Sequence, residues 1–491
     1  MEELGVLLKG IFEVVFSYLT SNMMLVNLLC SFAIVFLQRK EPRSTWAWLL
    51  VLNALPGVGF FLYLLFGTDM NKRKMFKIKE IEDQVNEAVR RQEYGIRCHK
   101  RNPENDSRYA DQVYYNLNTS NAVLFEDNHV EIFTDGKEKF EALLQDIRQA
   151  KEYIFLQYYI IRSDLLFDRI KEELIRKQQE GVEVRVLFDA MGCRSVKHRY
   201  WKEMEKYGIR TAEFFPALFG RLHLRVNYRN HRKIAVIDGK IGYVGGFNIG
   251  KEYLGLDPKF GYWRDTHLRI RGSGVAALLI RYIQDWDYAA RENLFADPRY
   301  VRGLEESDGN TKLQIISSGP DSASPVIRDN YLMLIARAKK RICIQTPYFI
   351  PDEAILSALL IAANSGVEVN VMIPCKPDHP FVYWATWSYV GELVKAGANC
   401  YTYENGFLHA KGVTVDGEAC CYGTANMDNR SFSLNFEVNA VIYDEKIARQ
   451  MEDIILEDIK LCRRITKEQY ESRSLWVRCK EQCCRLFSPL L

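Results

Sequence analysis

HRKIAVIDGKIGYVGGFN (231–248) and HAKGVTVDGEACCYGTAN (409–426) share one internal pattern, and this pattern predicts how the 491-residue chain folds. In both stretches a histidine is followed, after one residue, by a lysine. Four residues separate this lysine from an Asp-Gly pair. After five more residues comes Gly-Gly or Gly-Thr, then one residue and an asparagine. Of the eight histidines in the chain, only His231 and His409 stand in this frame. Two polar clusters with identical spacing are not expected from unrelated surface strands.

The first stretch predicts a β-hairpin that gathers polar side chains at one end. Residues two apart on a strand point to the same face, so His231 and Lys233 share a face. Asp238-Gly239 is a strong two-residue turn signal, which places His231 opposite Gly246 and next to Asn248. Asp238 itself lies at the turn, remote from this patch. The second stretch predicts the same arrangement, and its corresponding residues are His409, Lys411, Asp416, Thr424 and Asn426.

These side chains suit the chemistry of a phosphate diester. A lysine and an asparagine can hold the non-bridging oxygens and stabilise the charge that builds in the transition state. One histidine can attack phosphorus as a covalent nucleophile, and a second can protonate the leaving alcohol. The two patches must then meet, because neither alone holds both histidines. The sequence contains no HExxH, paired CxxC or Walker motif, so no metal site or other cofactor is predicted.

The paired pattern resembles that of the phospholipase D superfamily, and the flanking segments are similar to those of bacterial cardiolipin synthases. The resemblance extends from the apolar N-terminus to about residue 460. The flanking segments that carry it are NYRNHRKI (227–234), WRDT (263–266), TPYFIP (346–351) and SLNFEVN (433–439).

This resemblance implies roles for individual residues. It implies that His231 is the nucleophile and His409 the general acid, and that Asp265 and Glu437 orient the histidines of the first and second half, respectively. The family counts the motif aspartate among the active-site residues. The remaining implied catalytic and phosphate-binding residues are Lys233, Asp238, Lys411, Asp416, Asn248 and Asn426.

The two stretches belong to a longer internal repeat. AKEYIFLQ (150–157) matches AKKRICIQ (338–345), and GVEVRV (181–186) matches GVEVNV (366–371). Strand-like runs alternate with helical patterns in both halves, which predicts an α/β sheet in each. With the resemblance, this predicts two pseudo-symmetric phospholipase D-like sandwich domains preceded by an N-terminal transmembrane helical hairpin. The predicted segments are an anchor (1–75), a charged, turn-rich linker (76–118), and two domains (119–302 and 311–491).

Two uncharged apolar runs predict the membrane anchor. Residues 14–37 and 46–66 are each long enough to span a bilayer. Basic residues are in excess after the second run, so the positive-inside rule predicts that both ends lie in the cytoplasm. The predicted location is the cell (inner) membrane, multi-pass, with a cytoplasmic catalytic domain. The connection between the runs is itself basic, which leaves a shallow re-entrant hairpin as the alternative.

The composition indicates the cellular compartment and excludes one class of partner. The net charge of +3 argues against a protein that binds nucleic acid by bulk electrostatics. Twelve cysteines are scattered, several of them in apolar runs, which is typical of a reducing compartment rather than of a disulfide scaffold.

Three segments combine apolar side chains with cations and are candidates to contact lipid. The alternative for each is packing within the protein. The members are Phe214, Phe215, Leu218 and Phe219; Phe381, Tyr383, Trp384, Trp387 and Tyr389; and Trp476, Cys479, Cys483, Phe487 and Leu490.

The resemblance implies a cardiolipin synthase. Such an enzyme transfers a phosphatidyl group from one phosphatidylglycerol to another through a phosphatidyl-histidine and releases glycerol. Alternatives with the same chemistry are a phospholipase D that uses water and an exchange enzyme that uses another alcohol. A nuclease is disfavoured by the two apolar runs and the small net charge. A non-enzymatic scaffold is disfavoured because both motifs are complete.

Overall fold

The protein is described by a computed structural model that covers residues 23–37, 42–55, 58, 59, 63, 108–216, 228–300 and 307–488. Near the N-terminus, α1 (Met23–Phe32) continues into a π-helical turn (Ala33–Leu37), and α2 (Pro42–Ala54) follows. Asn27 Nδ2 donates to the Leu52 carbonyl oxygen at 3.1 Å, which joins the two helices. In the covered part of the chain, no helix is long and apolar enough to cross a membrane.

The rest of the described chain forms one α/β unit. Its helices are α3 (Ala110–Ser120), α4 (Gly136–Gln149), α5 (Leu165–Gln179), α6 (His198–Lys206), α7 (Val275–Ala290), α8 (Val326–Arg337), α9 (Glu353–Asn364), α10 (Pro380–Lys395), α11 (Asn429–Ser433), α12 (Glu445–Ile459), α13 (Lys467–Glu471) and α14 (Leu475–Arg485). Short 3-10 helices span Lys251–Leu254, Leu294–Ala296 and Pro298–Tyr300.

The strands divide between the two halves of the repeat. Those of the first half are β1 (Phe125–Phe133), β2 (Tyr153–Tyr158), β3 (Glu183–Asp189), β4 (Arg210–Phe214), β5 (Arg229–Asn230), β6 (Ile234–Ile237), β7 (Ile241–Gly245), β8 (Trp263–Arg264) and β9 (His267–Arg271). Those of the second half are β10 (Thr311–Ser318), β11 (Arg341–Gln345), β12 (Phe349–Ile350), β13 (Glu368–Pro374), β14 (Asn399–Tyr403), β15 (Phe407–Leu408), β16 (Gly412–Val415), β17 (Ala419–Gly423), β18 (Met427–Asp428), β19 (Asn435–Ile442) and β20 (Cys462–Ile465).

One sheet runs through both halves. Its order in the described chain is β20-β14-β13-β11-β16-β17-β19-β10-β1-β9-β7-β6-β2-β3-β4, and β5 pairs with β19. The antiparallel pair of β1 and β10 joins the halves, with Phe125 opposite Leu313. The central strands are buried on both faces because helices cover them, which explains their continuous apolar runs.

Aspartate caps begin several of the covering helices. A carboxylate that accepts from the first-turn N–H groups satisfies donors that lack a partner within the helix. Asp135, for example, accepts from Lys137 N at 2.7 Å at the start of α4. The equivalent caps of α5, α9 and α12 are Asp164, Asp352 and Asp444.

The predicted repeat is confirmed in detail. The matched segments form β2 and β11, then β3 and β13, in the same positions of the two halves. The glycines before β3 and β13 have nearly the same left-handed conformation, with φ of 91° at Gly181 and 88° at Gly366. Such a conformation favours glycine, so the repeated Gly-Val-Glu-Val is a shared helix-to-strand turn.

The predicted hairpins are present, but their register was wrong by one residue. Ile237 lies opposite Ile241, not Lys240, and Val415 lies opposite Ala419, not Glu418. In the first hairpin, Lys240 N still donates to the Ile237 carbonyl oxygen at 3.0 Å, as a tight turn requires. The extra residue after each Asp-Gly turn shifts the pairing of the returning strand.

The linker predicted over 76–118 was wrong for its C-terminal end. Residues 110–118 belong to α3, whose buried Gln112 and Asn116 pack against the second half. Gln112 Nε2 donates to Asn330 Oδ1 at 2.8 Å, and Asn116 Nδ2 donates to Gln314 Oε1 at 2.9 Å. Residues 76–107 lie outside the described residues.

Of the two interpretations of the first aromatic segment, packing within the protein holds for the part that the structure describes, and lipid contact does not. Phe214 and Phe215 are buried and pack against Phe436, with ring centroids 5.4 and 5.8 Å away. Leu218 and Phe219 lie outside the described residues. The cysteines that the structure describes are all free thiols, many of them buried.

Candidate active site

Each motif histidine follows a short strand that pairs with a strand of the other half. Just before His231, β5 pairs with the start of β19, and His231 N donates to the Phe436 carbonyl oxygen at 3.0 Å. Just before His409, β15 pairs with β8, and His409 N donates to the Arg264 carbonyl oxygen at 2.7 Å. The two motifs therefore meet at one interface, related by the pseudo-symmetry of the chain.

The carboxylates that contact the histidines are exchanged between the halves. His231 Nδ1 lies 2.9 Å from Glu437 Oε1, and His409 Nδ1 lies 2.5 Å from Asp265 Oδ2. The sequence prediction paired each histidine with the carboxylate of its own half, and that pairing was wrong. A carboxylate at Nδ1 holds the proton on that nitrogen and leaves Nε2 for chemistry.

The two carboxylates are held differently, although they occupy matching positions. Thr424 Oγ1 donates to Glu437 Oε2 at 2.5 Å. The matching residue of the first hairpin is Gly246, where a Cβ atom would lie 1.9 Å from Asp265 Oδ1. The Gly-Gly of the first motif and the Gly-Thr of the second are therefore fitted to the carboxylates they contact.

The site is enclosed by aromatic rings. His231 and His409 are each 9% exposed. The ring of Tyr159 lies 4.9 Å from that of His231, and the ring of Trp263 lies 5.1 Å from that of His409. Such walls limit the access of water to both imidazoles.

The lysines and asparagines of the motifs lie beside the histidines. Lys233 Nζ donates to the His231 carbonyl oxygen at 2.6 Å, and Lys411 Nζ donates to that of His409. Asn248 Oδ1 accepts from Ile160 N at 3.0 Å. Asn426 Oδ1 is buried and has no hydrogen-bond partner among the described residues.

Burial in the site favours the neutral form of both imidazoles. It lowers the pKa of His231 to about 4, against the opposing effect of Glu437, and it also lowers the pKa of His409. Burial lowers the pKa of Lys411 to about 8. Burial alone would raise the pKa of Glu437, but the charges of His231 and Lys233 bring it below its ordinary value. An anion entering the site would favour the protonated form of each base.

The motif aspartates are structural in this geometry, against the catalytic role that the resemblance implied. Asp238 accepts from the backbone N–H groups of residues 151–153 at 2.8 to 2.9 Å. Asp416 accepts from those of residues 339–341 at 2.8 to 2.9 Å and pairs with Arg108 at 2.7 Å. Both lie at the hairpin turns and contact neither histidine, so they fix the starts of β2 and β11.

Alanine at Asp238 or Asp416 is expected to lower the free energy of unfolding by about 1–3 kcal/mol, because three backbone N–H groups at the start of a strand lose their acceptor. The turnover of the folded fraction should stay within about threefold of the wild type. Denaturant unfolding alongside active-site titration measures both quantities, with His231→Ala as the control that loses turnover and keeps stability. Loss of turnover in a fully folded Asp238→Ala protein would contradict the structural role.

A buried cluster beneath His231 was not predicted from the sequence. Asp285 on α7 accepts from Arg232 Nη1 at 2.6 Å and from Gln157 Nε2 at 2.6 Å. Arg232 Nε also donates to the Glu437 carbonyl oxygen at 3.2 Å. Arg232 therefore joins the histidine strand of one half to the carboxylate strand of the other.

A matching cluster lies beneath His409. Asp458 on α12 accepts from Gln345 Nε2 at 2.9 Å and from Arg264 Nε at 2.8 Å. One signal was present in the sequence: Gln157 and Gln345 end the matched segments of the repeat, each a polar residue after an apolar run. The two arginines occupy unmatched positions, so the repeat alone did not point to them.

In the described part of the chain, no three His, Cys, Asp or Glu side chains are arranged to hold a metal ion. Comparison with known proteins shows the family of the chain. The profile of a family described as cardiolipin synthase, PLD-like domain, matches residues 143–278 and 331–459, and one described as phospholipase D-nuclease N-terminal matches residues 25–67.

The chain belongs to the cardiolipin synthase family of phospholipase D-like proteins. A cardiolipin synthase of Oceanobacillus iheyensis is 48% identical over 472 residues, which cover 95% of this chain and 97% of the relative. The major cardiolipin synthase of Bacillus subtilis is 46% identical over 479 residues, which cover 97% and 99%.

A solved structure shows the same fold. The phosphatidylserine synthase of Haemophilus influenzae matches with a TM-score of 0.60 at 16% identity, over 79% of this chain and 100% of that one. The predicted family is therefore confirmed, as is the α/β fold with two phospholipase D-like domains.

Proposed function

We propose that this chain is a phosphatidyltransferase that makes cardiolipin from two molecules of phosphatidylglycerol. The observation that carries the proposal is the pair of buried imidazoles, each held at Nδ1 by a carboxylate of the opposite half. The family membership supports cardiolipin as the product, because curated relatives that match almost the whole chain carry that activity in their names.

In the first step, Nε2 of His231 attacks the phosphorus of one phosphatidylglycerol. The bond from phosphorus to the glycerol oxygen breaks, and His409 Nε2–H protonates that oxygen, so free glycerol leaves. The positive charge that forms on His231 is stabilised by Glu437. Lys233, Lys411, Asn248 and Asn426 are proposed to hold the phosphate oxygens as charge builds on them.

In the second step, His409 acts as the base. It takes the proton from a glycerol hydroxyl of a second phosphatidylglycerol, whose oxygen attacks phosphorus. The bond between phosphorus and His231 Nε2 breaks, which releases cardiolipin and restores both histidines. Asp265 is proposed to hold His409 in the same orientation through both proton transfers.

The N-terminal helices are proposed to form a membrane hairpin, with the chain multi-pass in the cell membrane and its catalytic part in the cytoplasm. Several large apolar side chains of α1, the π-helical turn and α2 are exposed, including Leu28, Phe36, Trp46 and Leu50. Such side chains suit a lipid environment better than water. The proposed division of the chain is an anchor (1–75) and two domains (119–302 and 311–491), and α3, at the end of the predicted linker, packs against the second domain.

The test is turnover of phosphatidylglycerol alone by the purified full chain in mixed micelles. Cardiolipin and glycerol in equal amounts are expected, and His231→Ala or His409→Ala should abolish both products. Phosphatidic acid without cardiolipin would show a hydrolase instead. Turnover that begins only when another phospholipid is added would show that the acceptor is wrong while the chemistry is right.

A further inference from the structure

The C-terminal helix α14 presents its apolar residues outward. The fractional exposures are 78% at Leu475 and 70% at Trp476 within the helix, and 80% at Leu486 and 51% at Phe487 directly after it. Cys479 and Cys483, which the sequence placed on the same face, are exposed as well. Leu490 lies outside the described residues.

The side of α14 that packs on the protein is polar instead. Glu481 is 1% exposed and lies 3.1 Å from Arg473. Arg485 pairs with Glu392 of α10 and lies over the ring of Tyr389, 4.5 Å from its centroid. The helix is therefore attached to α10 by charges and by Cys484, while Leu475 and Trp476 are largely exposed, with Lys480 Nζ 5.6 Å from the centroid of the Trp476 ring. Packing within the protein, the alternative for this segment, does not account for this orientation.

We propose that Leu475, Trp476, Leu486 and Phe487, here called the C-terminal patch, dock the catalytic part on an anionic lipid surface. Two cations besides the packed Arg485, namely Arg478 and Lys480, lie within this segment, and its one carboxylate, Glu481, is buried. An exposed apolar stripe with basic neighbours fits the headgroup zone of an anionic membrane, where tryptophan is enriched.

The C-terminal patch is connected to the active site. Asn429 Nδ2 donates to the Ser488 carbonyl oxygen at 3.0 Å, directly after Phe487. Asn429 begins α11, and Ser431 Oγ of the same helix accepts from Asn426 N at 3.1 Å. Phe381, exposed in the first turn of α10, adds an apolar side chain on the helix that supports α14. The C-terminal patch is thus followed directly by a residue that is hydrogen-bonded to the helix next to Asn426.

The first test locates Trp476 relative to lipid without using catalysis. The full chain in nanodiscs that contain brominated phosphatidylglycerol should show stronger tryptophan quenching than its Trp476→Phe variant. The matched control is Trp201→Phe, whose indole is buried in the first half and should contribute no quenching. Equal quenching in the wild type and in Trp476→Phe would overturn the proposal.

The second test uses turnover and rests on the proposed function. Serine at all four residues of the C-terminal patch should lower the ratio of turnover on phosphatidylglycerol vesicles to turnover on monomeric dihexanoyl-phosphatidylglycerol by about tenfold or more. Ile361→Ser, which removes an exposed apolar side chain on α9, is the control and should leave the ratio unchanged. Turnover of the monomeric lipid shows that the variant is folded and that the chemistry is as proposed.

The outcomes separate the possible occupants of the C-terminal patch. An unchanged ratio in the four-serine variant would overturn the lipid proposal. Self-association of the wild type in detergent that the four-serine substitution abolishes, with no lipid quenching, would assign the patch to a second copy and would also overturn it. Failure of the wild type to turn over either form of the lipid would count against the proposed function instead, while the quenching result would still stand.

Discussion

Alanine at His231 or His409 is expected to lower cardiolipin synthesis by about 10⁴-fold or more, for two different chemical reasons. Without His231 there is no nucleophile to form the intermediate. Without His409 the glycerol oxygen must leave as an alkoxide, which is a poor leaving group near neutral pH. Neither change should lower stability greatly, because both side chains border the site rather than the apolar core.

A phosphatidyl ester of p-nitrophenol separates the two roles. Its leaving group needs no proton, so His409→Ala should release nitrophenol in a burst of one equivalent, and the enzyme should then stall at the phosphatidyl-histidine. His231→Ala should show no burst. The matched control is His267→Ala, which removes another buried histidine of the first half. A burst in His231→Ala and none in His409→Ala would reverse the assignment.

Replacing the two carboxylates is expected to shift opposite limbs of the pH profile, the alkaline limb for Asp265 and the acid limb for Glu437. Attack requires neutral His231, so turnover falls as the pH drops through the pKa of this residue, about 4. Protonation of glycerol requires charged His409, so turnover falls as the pH rises through the pKa of His409, which burial lowers in the empty site. The bound phosphate raises that pKa, so the alkaline limb of kcat should lie at higher pH than that of kcat/KM.

Each carboxylate raises the pKa of the histidine that it contacts, so its removal lowers that pKa. Asp265→Asn should move the alkaline limb to lower pH, and Glu437→Gln should move only the acid limb to lower pH. Both changes should also lower kcat by about 10²-fold. Measurement on monomeric dihexanoyl-phosphatidylglycerol avoids effects of membrane charge. A shift of the alkaline limb in Glu437→Gln and none in Asp265→Asn would show that each carboxylate acts on the histidine of its own half.

The repeat and the polar cluster of each hairpin could be predicted because they are local. Period-two spacing sets the face of His231 and Lys233, and the Asp-Gly turn sets the hairpin. The register error arose because a turn signal specifies where the chain reverses but not whether an extra residue follows. Lys240 is that residue in the first hairpin.

The exchange of carboxylates could not be predicted from spacing. It depends on β5 and β15 crossing to the other half, and strands of two residues carry no periodicity. The resemblance supplied Asp265 and Glu437 as candidates but not their partners. Arg232 was missed for a similar reason, since its partner Asp285 is distant in sequence.

The face that α14 presents to the protein depends on its partners. The helical spacing of Trp476 and Phe487 predicted a common face. Only the contacts of Glu481 and Arg485 show that this face is directed away from α10.

The most direct test of a composite site that works through His231 is to locate the covalent intermediate. The full chain carrying His409→Ala would react with the nitrophenyl lipid, be quenched in base and digested, and be analysed by mass spectrometry. We expect a phosphatidyl group on the peptide that contains His231, and none when His231 is replaced as well. A phosphatidyl group on any other residue, or a burst with no adduct at all, would contradict it.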